Sequence, residues 1–171
     1  MSTTTPDATL SEVELFRHQA QMSHAVIKLN IAGMTQEESL IQPTAGNCAN
    51  WVLGHILGTY CGVAPLLGQE PVVSKETLKH YDRGAEPIRD AADAMDFQEL
   101  ATALDEAVRR FNEGLSSLTP EVLDRPVANS PTKNPNETVR TLLNTVSFHQ
   151  AYHAGQLGLL RRIAGKEGAI R

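Results

Sequence analysis

Four stretches of the chain repeat apolar side chains at alternating intervals of three and four positions, the pattern of helices that each bury one stripe. In residues 9–31 the stripe is Val13, Phe16, Ala20, His24, Ile27 and Ile31. Residues 48–67, through Trp51, Val52, Ile56 and Tyr60, are apolar almost all round, so this second helix is expected to be the most buried. Residues 97–118 set Phe97, Leu100, Leu104, Val108, Phe111 and Leu115 between polar residues, with Asp96 and Glu99 spaced as a capping box. The fourth stretch opens on Asn134 as cap, Pro135 at the first helical position and Glu137 at the third. It closes on Arg161 and Arg162, whose charge suits a helix C-terminus, and on Gly165 as the capping glycine. No alternating strand pattern of useful length and no repeat at solenoid periods accompanies them. The pattern predicts an all-α fold, an up-down-type four-helix bundle.

Between helices two and three runs a long connection, residues 68–94, with Pro71, Gly84 and Pro87 and a short helix expected near residues 75–81. Connections of this length in a small domain usually carry function or are disordered. Val72, Val73, Leu78, Tyr81 and Ile88 punctuate its charges, so it is expected to fold over one end of the bundle as a partial lid. A second connection, residues 119–133, carries Pro120, Pro126 and Pro131.

A chain of 171 residues fits a single domain spanning 1–171, with residues 1–8 expected to be frayed. Its 20 acidic and 15 basic side chains are mixed along the sequence, giving a formal charge of −5 with no basic stripe. That balance argues against nucleic acid and against anionic membranes as partners. The uncharged run from Ser39 to Gln69 is long enough to span a bilayer, but Asn47, Asn50, His55, Thr59, its glycines and Pro65 dilute it and no basic residue anchors its ends. A helix buried in a protein core explains it better. Cys48 and Cys61 fit neither a C-x-x-C pair nor a disulfide framework, and residues 1–7 lack the features of an export signal. A cytoplasmic protein is expected.

The chemistry concentrates on the fourth helix. Its stripe runs Val139, Leu142, Val146, then His149 and His153, then Leu157 and Leu160, so two imidazoles stand where leucines are expected. Positions four apart on a helix differ by ~40° around the axis and ~6 Å along it, so both rings can reach one ion. Buried rings without partners are costly, so each either donates to a neighbour such as Tyr152 or a carbonyl, or binds a metal. His55, beside the small residues Gly54, Gly58 and Gly62, is the natural third ligand from another helix. The glycines themselves read as a close-packing ridge or as space beside the ring. His24 is a possible fourth ligand, a partner behind the ligands, or an ordinary core histidine. His18 and His80 fall at positions expected to be solvated. Trp51, Tyr60, Tyr152 and Arg83 are candidate pocket residues. Arg83 and Arg89 read either as solvated surface charge or as binders of an anionic substrate. Ser147 faces away from the histidines, and no G-x-S-x-G, H-E-x-x-H or glycine-rich phosphate loop is present.

The segment Asn50-Trp51-Val52-Leu53-Gly54-His55 and, more specifically, His149-Gln150-Ala151-Tyr152-His153-Ala154-Gly155-Gln156-Leu157 followed by Arg161-Arg162 resemble the two signature regions of the DinB-like family. With the helix order included, and Tyr81-Asp82-Arg83-Gly84 as a weaker match, the resemblance spans residues 10–165. It implies a bundle with a three-histidine site for zinc, nickel or a related divalent ion, often in a homodimer. Characterised members include thiol S-transferases using bacillithiol or glutathione and a mycothiol-dependent maleylpyruvate isomerase. Many relatives carry an acid shortly after the helix-two histidine. Tyr60 and neutral neighbours stand there in this chain, so a carboxylate general base does not carry over.

The function expected from these features is addition of a low-molecular-weight thiol to an electrophilic small molecule, activated by a divalent metal ion, zinc or nickel. A metal-dependent hydrolase comes second. The rival from another class is a non-enzymatic metal-binding or stress-response bundle. An open coordination position beside a cavity separates the enzymes from that rival, whose shell would be closed by His24 or another side chain.

Overall fold

The computed structural model describes residues 11–88, 91–128 and 130–170. The expected fraying of residues 1–8 and the reading of Arg89 fall outside them. The chain is helical, and no strand occurs among the described residues. Six α-helices follow in order: α1 Glu12–Ile31, α2 Gln36–Ser39, α3 Ala49–Val63, α4 Phe97–Leu115, α5 Pro120–Leu123 and α6 Val139–Ile163. The long elements α1, α3, α4 and α6 are the four helices that the periodicity marks.

Their termini follow local chemistry. Ser11 and Glu14 form a capping box that starts α1 three residues later than expected. Asp96 caps α4 by accepting from the Gln98 and Glu99 N–H groups, both at 2.9 Å. Helix α3 tightens into a 3₁₀ segment, Ala64–Leu67, at Pro65. The start of α6 departs from expectation: the cap is Thr138, boxed with Thr141, and Asn134 instead accepts from the Asn136 N–H in a local Asx turn. Glu137 turns inward, 3% exposed, where its carboxylate accepts from Ser130 and Thr132 hydroxyls. Its backbone pairs with Val127 beside the Pro126–Thr138 bridge, so Pro135 and Asn136 form a turn and the helix starts only after Thr138. At the other end Gly165, at φ +81°, closes α6 as its sequence suggests.

Helix α1 packs chiefly on α6 and α4, and α3 packs on the same two, so α1 and α3 face each other across the bundle. Side-chain ties give the directions. Glu12 pairs with Arg140 at one end of α1 and α6, and Arg161 donates to the Asn30 and Ala32 carbonyls at the other, so these helices are parallel. Arg17 reaches Ser116, which makes α1 and α4 antiparallel. Asn50, at the start of α3, donates to Met95 just before α4, while Arg110 near the end of α4 donates to Glu70 just after α3. Those two are therefore parallel as well. The expected up-down bundle thus runs up, down, down, up.

That order explains the long connection. Parallel neighbours cannot be joined by a tight turn, and the chain leaving α3 must climb back along its fifteen residues, roughly 22 Å at ~1.5 Å per residue. Leu78, Tyr81 and Ile88 are buried in the main core on the way. The Tyr81 hydroxyl donates to Asn50 Oδ1 at 2.9 Å and accepts from the Met95 N–H at 2.7 Å. The connection is therefore anchored in the core at Leu78, Tyr81 and Ile88 while the rest of its described residues stay exposed or half-buried, and its local helix is the 3₁₀ segment Lys79–Tyr81.

Candidate metal centre

His55 stands one turn into α3, and its ring stacks on Trp51 with centroids 4.7 Å apart and planes 15° from parallel. His149 and His153 project from adjacent turns of α6 toward it. The Nε2 atom of His149 lies 3.1 Å from Nε2 of His55 and 3.1 Å from Nε2 of His153. One potential ligand atom from each residue falls within 4.8 Å of the others.

The outer nitrogens decide the tautomers. His55 Nδ1 is 2.8 Å from the Tyr81 carbonyl oxygen, and His153 Nδ1 is 2.6 Å from Gln156 Oε1. Both oxygens only accept, so both Nδ1 atoms carry the proton and both Nε2 atoms present bare lone pairs to a common point. A single proton on His149 Nε2 satisfies one of them and leaves the other facing a nitrogen. A cation between the three satisfies all. Imidazole nitrogens bound at about 2.0–2.1 Å to a tetrahedral ion stand roughly 3.3 Å apart, close to the 3.1 Å from His149 Nε2 to each of the other two. The donor set therefore fits a divalent ion, with tautomers fixed from behind as metal-binding histidines usually are.

Electrostatics keep the rings neutral, the form that binds metal. His149 is pushed down to about 4, first by burial and then by the like-charge cost of protonating beside His153 and His55. Burial also lowers His55, against the Tyr81 carbonyl and Asp82, and lowers His153, against its bond to Gln156. His149 Nδ1 is buried with no geometrically formed hydrogen bond, although the Gln150 side chain beside it opposes the downward shift.

The three rings line a cleft of about 410 Å³ between α3, α6 and residues 43–47. Trp51, Tyr152 and Arg83 line it too. Tyr60 does not belong with them: it is 2% exposed and packs edge-on against Phe111 in the core. His24 is not brought to the cluster either. Its Nε2 is 2.8 Å from Asp105 Oδ1 across the α1–α4 interface, and that carboxylate also holds Lys28. His18 is exposed, and His80 contributes its carbonyl, which accepts from Trp51 Nε1 at 2.9 Å. Ser147 spends its hydroxyl on the Leu143 carbonyl.

The glycines divide. A Cβ on Gly54 would lie 2.2 Å from the Tyr81 ring, so Gly54 lets the connection approach α3 and deliver its carbonyl to His55. Gly58 and Gly62 meet nothing within 4 Å, so no continuous packing ridge forms. The two groups that fix the tautomers escape sequence reasoning. Gln156 had a signal, three residues after His153 on the same face. The Tyr81 carbonyl had none, since any residue supplies one.

A helical bundle that converges three imidazoles on the wall of an open cleft has the architecture of a histidine metal centre. The DinB superfamily model matches residues 13–157, and the chain belongs to that superfamily. A crystal structure of a conserved protein from Enterococcus faecalis superposes with a TM-score of 0.71 at 18% identity, covering 92% of this chain and 100% of that one. That likeness shows the fold. No curated protein matches the chain.

Proposed function

We propose that this protein is a divalent-metal-dependent enzyme that adds a low-molecular-weight thiol to an electrophilic small molecule, with zinc or nickel held by His55, His149 and His153. The observation that carries the metal assignment is the pair of pinned tautomers, which turn two bare Nε2 atoms toward a third within one cleft. A divalent ion with three neutral imidazole ligands and an open position lowers the pKa of a thiol or water bound there and supplies the nucleophile.

The chain's own side chains do the rest. Tyr81 and Gln156 hold the rings in the binding tautomer, and Trp51 fixes the plane of His55. Phe148 and Leu159, both exposed, give the mouth of the cleft an apolar rim. Choice of a thiol over water rests on the superfamily's habit, since a fold does not fix a reaction. A metal-dependent hydrolase is the second reading. The non-enzymatic bundle needs a closed shell, and the pairing of His24 with Asp105, together with the open cleft, favours the enzyme.

The proposal extends to a cytoplasmic homodimer. Free Cys48 and Cys61 suit a reducing compartment, and no described helix is long and apolar enough to cross a membrane. On α6, Gly158 packs against Asn30 of α1, which leaves exposed Ala151 and Gly155 to face a second copy. Sedimentation showing only monomer at tens of micromolar would remove the dimer.

The test of the function is metal analysis of untagged protein, followed by reaction of a small thiol with a chloro-substituted aromatic electrophile. Turnover that disappears on chelation and returns with zinc or nickel supports the transferase. Bound metal with ester hydrolysis and no thiol transfer supports the hydrolase, and protein that binds no metal refutes both.

A further inference from the structure

Apart from the histidines, the cleft is built largely from apolar surface. Phe148, Leu159 and Ile163 line it from α6 and are 70%, 60% and 42% exposed, and Trp51 faces them from α3. Exposed aromatic and aliphatic side chains gathered around a concavity mark a place where an apolar body settles. Among the described residues that line the cleft, only Arg83 bears a full charge.

Arg83 is braced, yet no carboxylate among the described residues pairs with it. Its Nη2 donates to the Pro131 carbonyl at 3.3 Å. The residues on either side of Pro131 are tied down, because the Ser130 and Thr132 hydroxyls both donate to the buried Glu137 carboxylate. Three other arginines are spent on acids: Arg109 and Arg110 on Glu106, Arg140 on Asp124 and Glu12. Asp82 adjoins Arg83 in sequence but does not line the cleft. A guanidinium held at the edge of an apolar cleft, with donors left over, is matched in charge and shape by a carboxylate.

We propose that the cleft takes a small apolar carboxylic acid, its body against Trp51, Phe148 and Leu159 and its carboxylate on Arg83. This deepens the proposed function by naming the class of the acceptor substrate, and it rests on that reading only in that both use one cleft. A thiol co-substrate would approach from the side of the three Nε2 atoms.

The experiment is calorimetric titration of wild-type protein and Arg83→Gln with 4-phenylbutyrate and its neutral amide, with metal content measured in parallel. Neither probe carries a thiol, so both report on the acceptor site alone. Wild type should bind the acid about tenfold more tightly than the amide, the factor that one charge-assisted contact at a partly exposed site provides. Arg83→Gln should lose that preference while keeping its metal and its affinity for the amide. Wild-type protein stripped of metal should keep the preference. Equal binding of acid and amide by wild type, binding of neither at millimolar concentration, or a preference that survives Arg83→Gln would each overturn the proposal. A preference lost on stripping but kept in Arg83→Gln places the carboxylate on the ion, and then this inference falls while the metal centre stands. An Arg83-dependent preference in protein that never binds metal gives the reverse result.

Discussion

His24 and the cluster of His55, His149 and His153 are two answers to one physical problem, an imidazole on the apolar stripe of a core helix. In both places burial is the first force lowering the pKa. At His24 a carboxylate stands within hydrogen-bond distance and offsets part of that cost, and Lys28 closes the arrangement. At the cluster the nearest polar atoms of the rings are other imidazoles and neutral oxygens, and His149 and His153 are each made harder to protonate by a neighbouring ring. A buried histidine with an acid is already satisfied. Three neutral ones facing each other call for a cation, and this separates a structural histidine from a ligand more sharply than burial does.

The largest effect expected from that contrast is on metal content. Wild-type protein purified without an affinity tag should carry about one divalent ion per chain, and His153→Ala should carry close to none. His24→Ala should retain it. Stoichiometric metal in His153→Ala, read by elemental analysis, would erase the distinction drawn between the two regions.

Next comes the shell behind the ligands. Gln156→Leu removes the acceptor that fixes the His153 tautomer, and its metal affinity should fall ~10–100-fold with the helix content unchanged. Competition with a chelator of known affinity measures this. An unchanged affinity would mean that the lone pairs are aligned by the fold alone.

A smaller effect should separate two glycines of one helix. Gly54→Ala drives a methyl into the Tyr81 ring and should destabilise the protein by about 1–3 kcal/mol, the usual range for overpacking. Because Tyr81 also holds His55, metal affinity should drop with it. Gly58→Ala meets open space and should be neutral or mildly stabilising, since alanine favours a helix. Denaturant titrations of the two variants give the comparison directly.

The smallest effect is on stability against pH. In the unfolded chain an imidazole protonates near about 6.5. Folding holds His149 down at about 4. As the pH falls the unfolded chain takes up protons that the folded protein refuses. The contribution of His149 to the stability of the metal-free protein is therefore fully present above about pH 6.5 and is lost as the pH drops toward about 4. Its melting temperature should be lower at pH 5 than at pH 7, and His149→Gln should show a smaller drop. His24→Gln should keep most of the drop, because Asp105 already counters the depression at His24. A larger loss of pH dependence in His24→Gln than in His149→Gln would reverse the assignment.

The sequence by itself determined the four long helices, since the interval of apolar side chains is a local property that survives any arrangement of the helices. It also determined that His149 and His153 share a face, because four residues of helix leave them no alternative. It put His55 forward from its place on the most buried helix beside Gly54, Gly58 and Gly62 and from the need for a third nitrogen, with the resemblance of two short motifs in agreement. It misplaced the start of α6, where Asn134, Pro135 and Glu137 match a helix cap but Glu137 is drawn into the core by Ser130 and Thr132. Tertiary structure alone decided which way the helices run, because the ties between Glu12 and Arg140 and between Asn50 and Met95 join residues distant in sequence. It decided that the long connection is anchored in the core, that Tyr60 is remote from the cleft and that His24 belongs to Asp105. It also brought the Tyr81 carbonyl to His55, a contact invisible in the sequence because backbone oxygens are the same at every position.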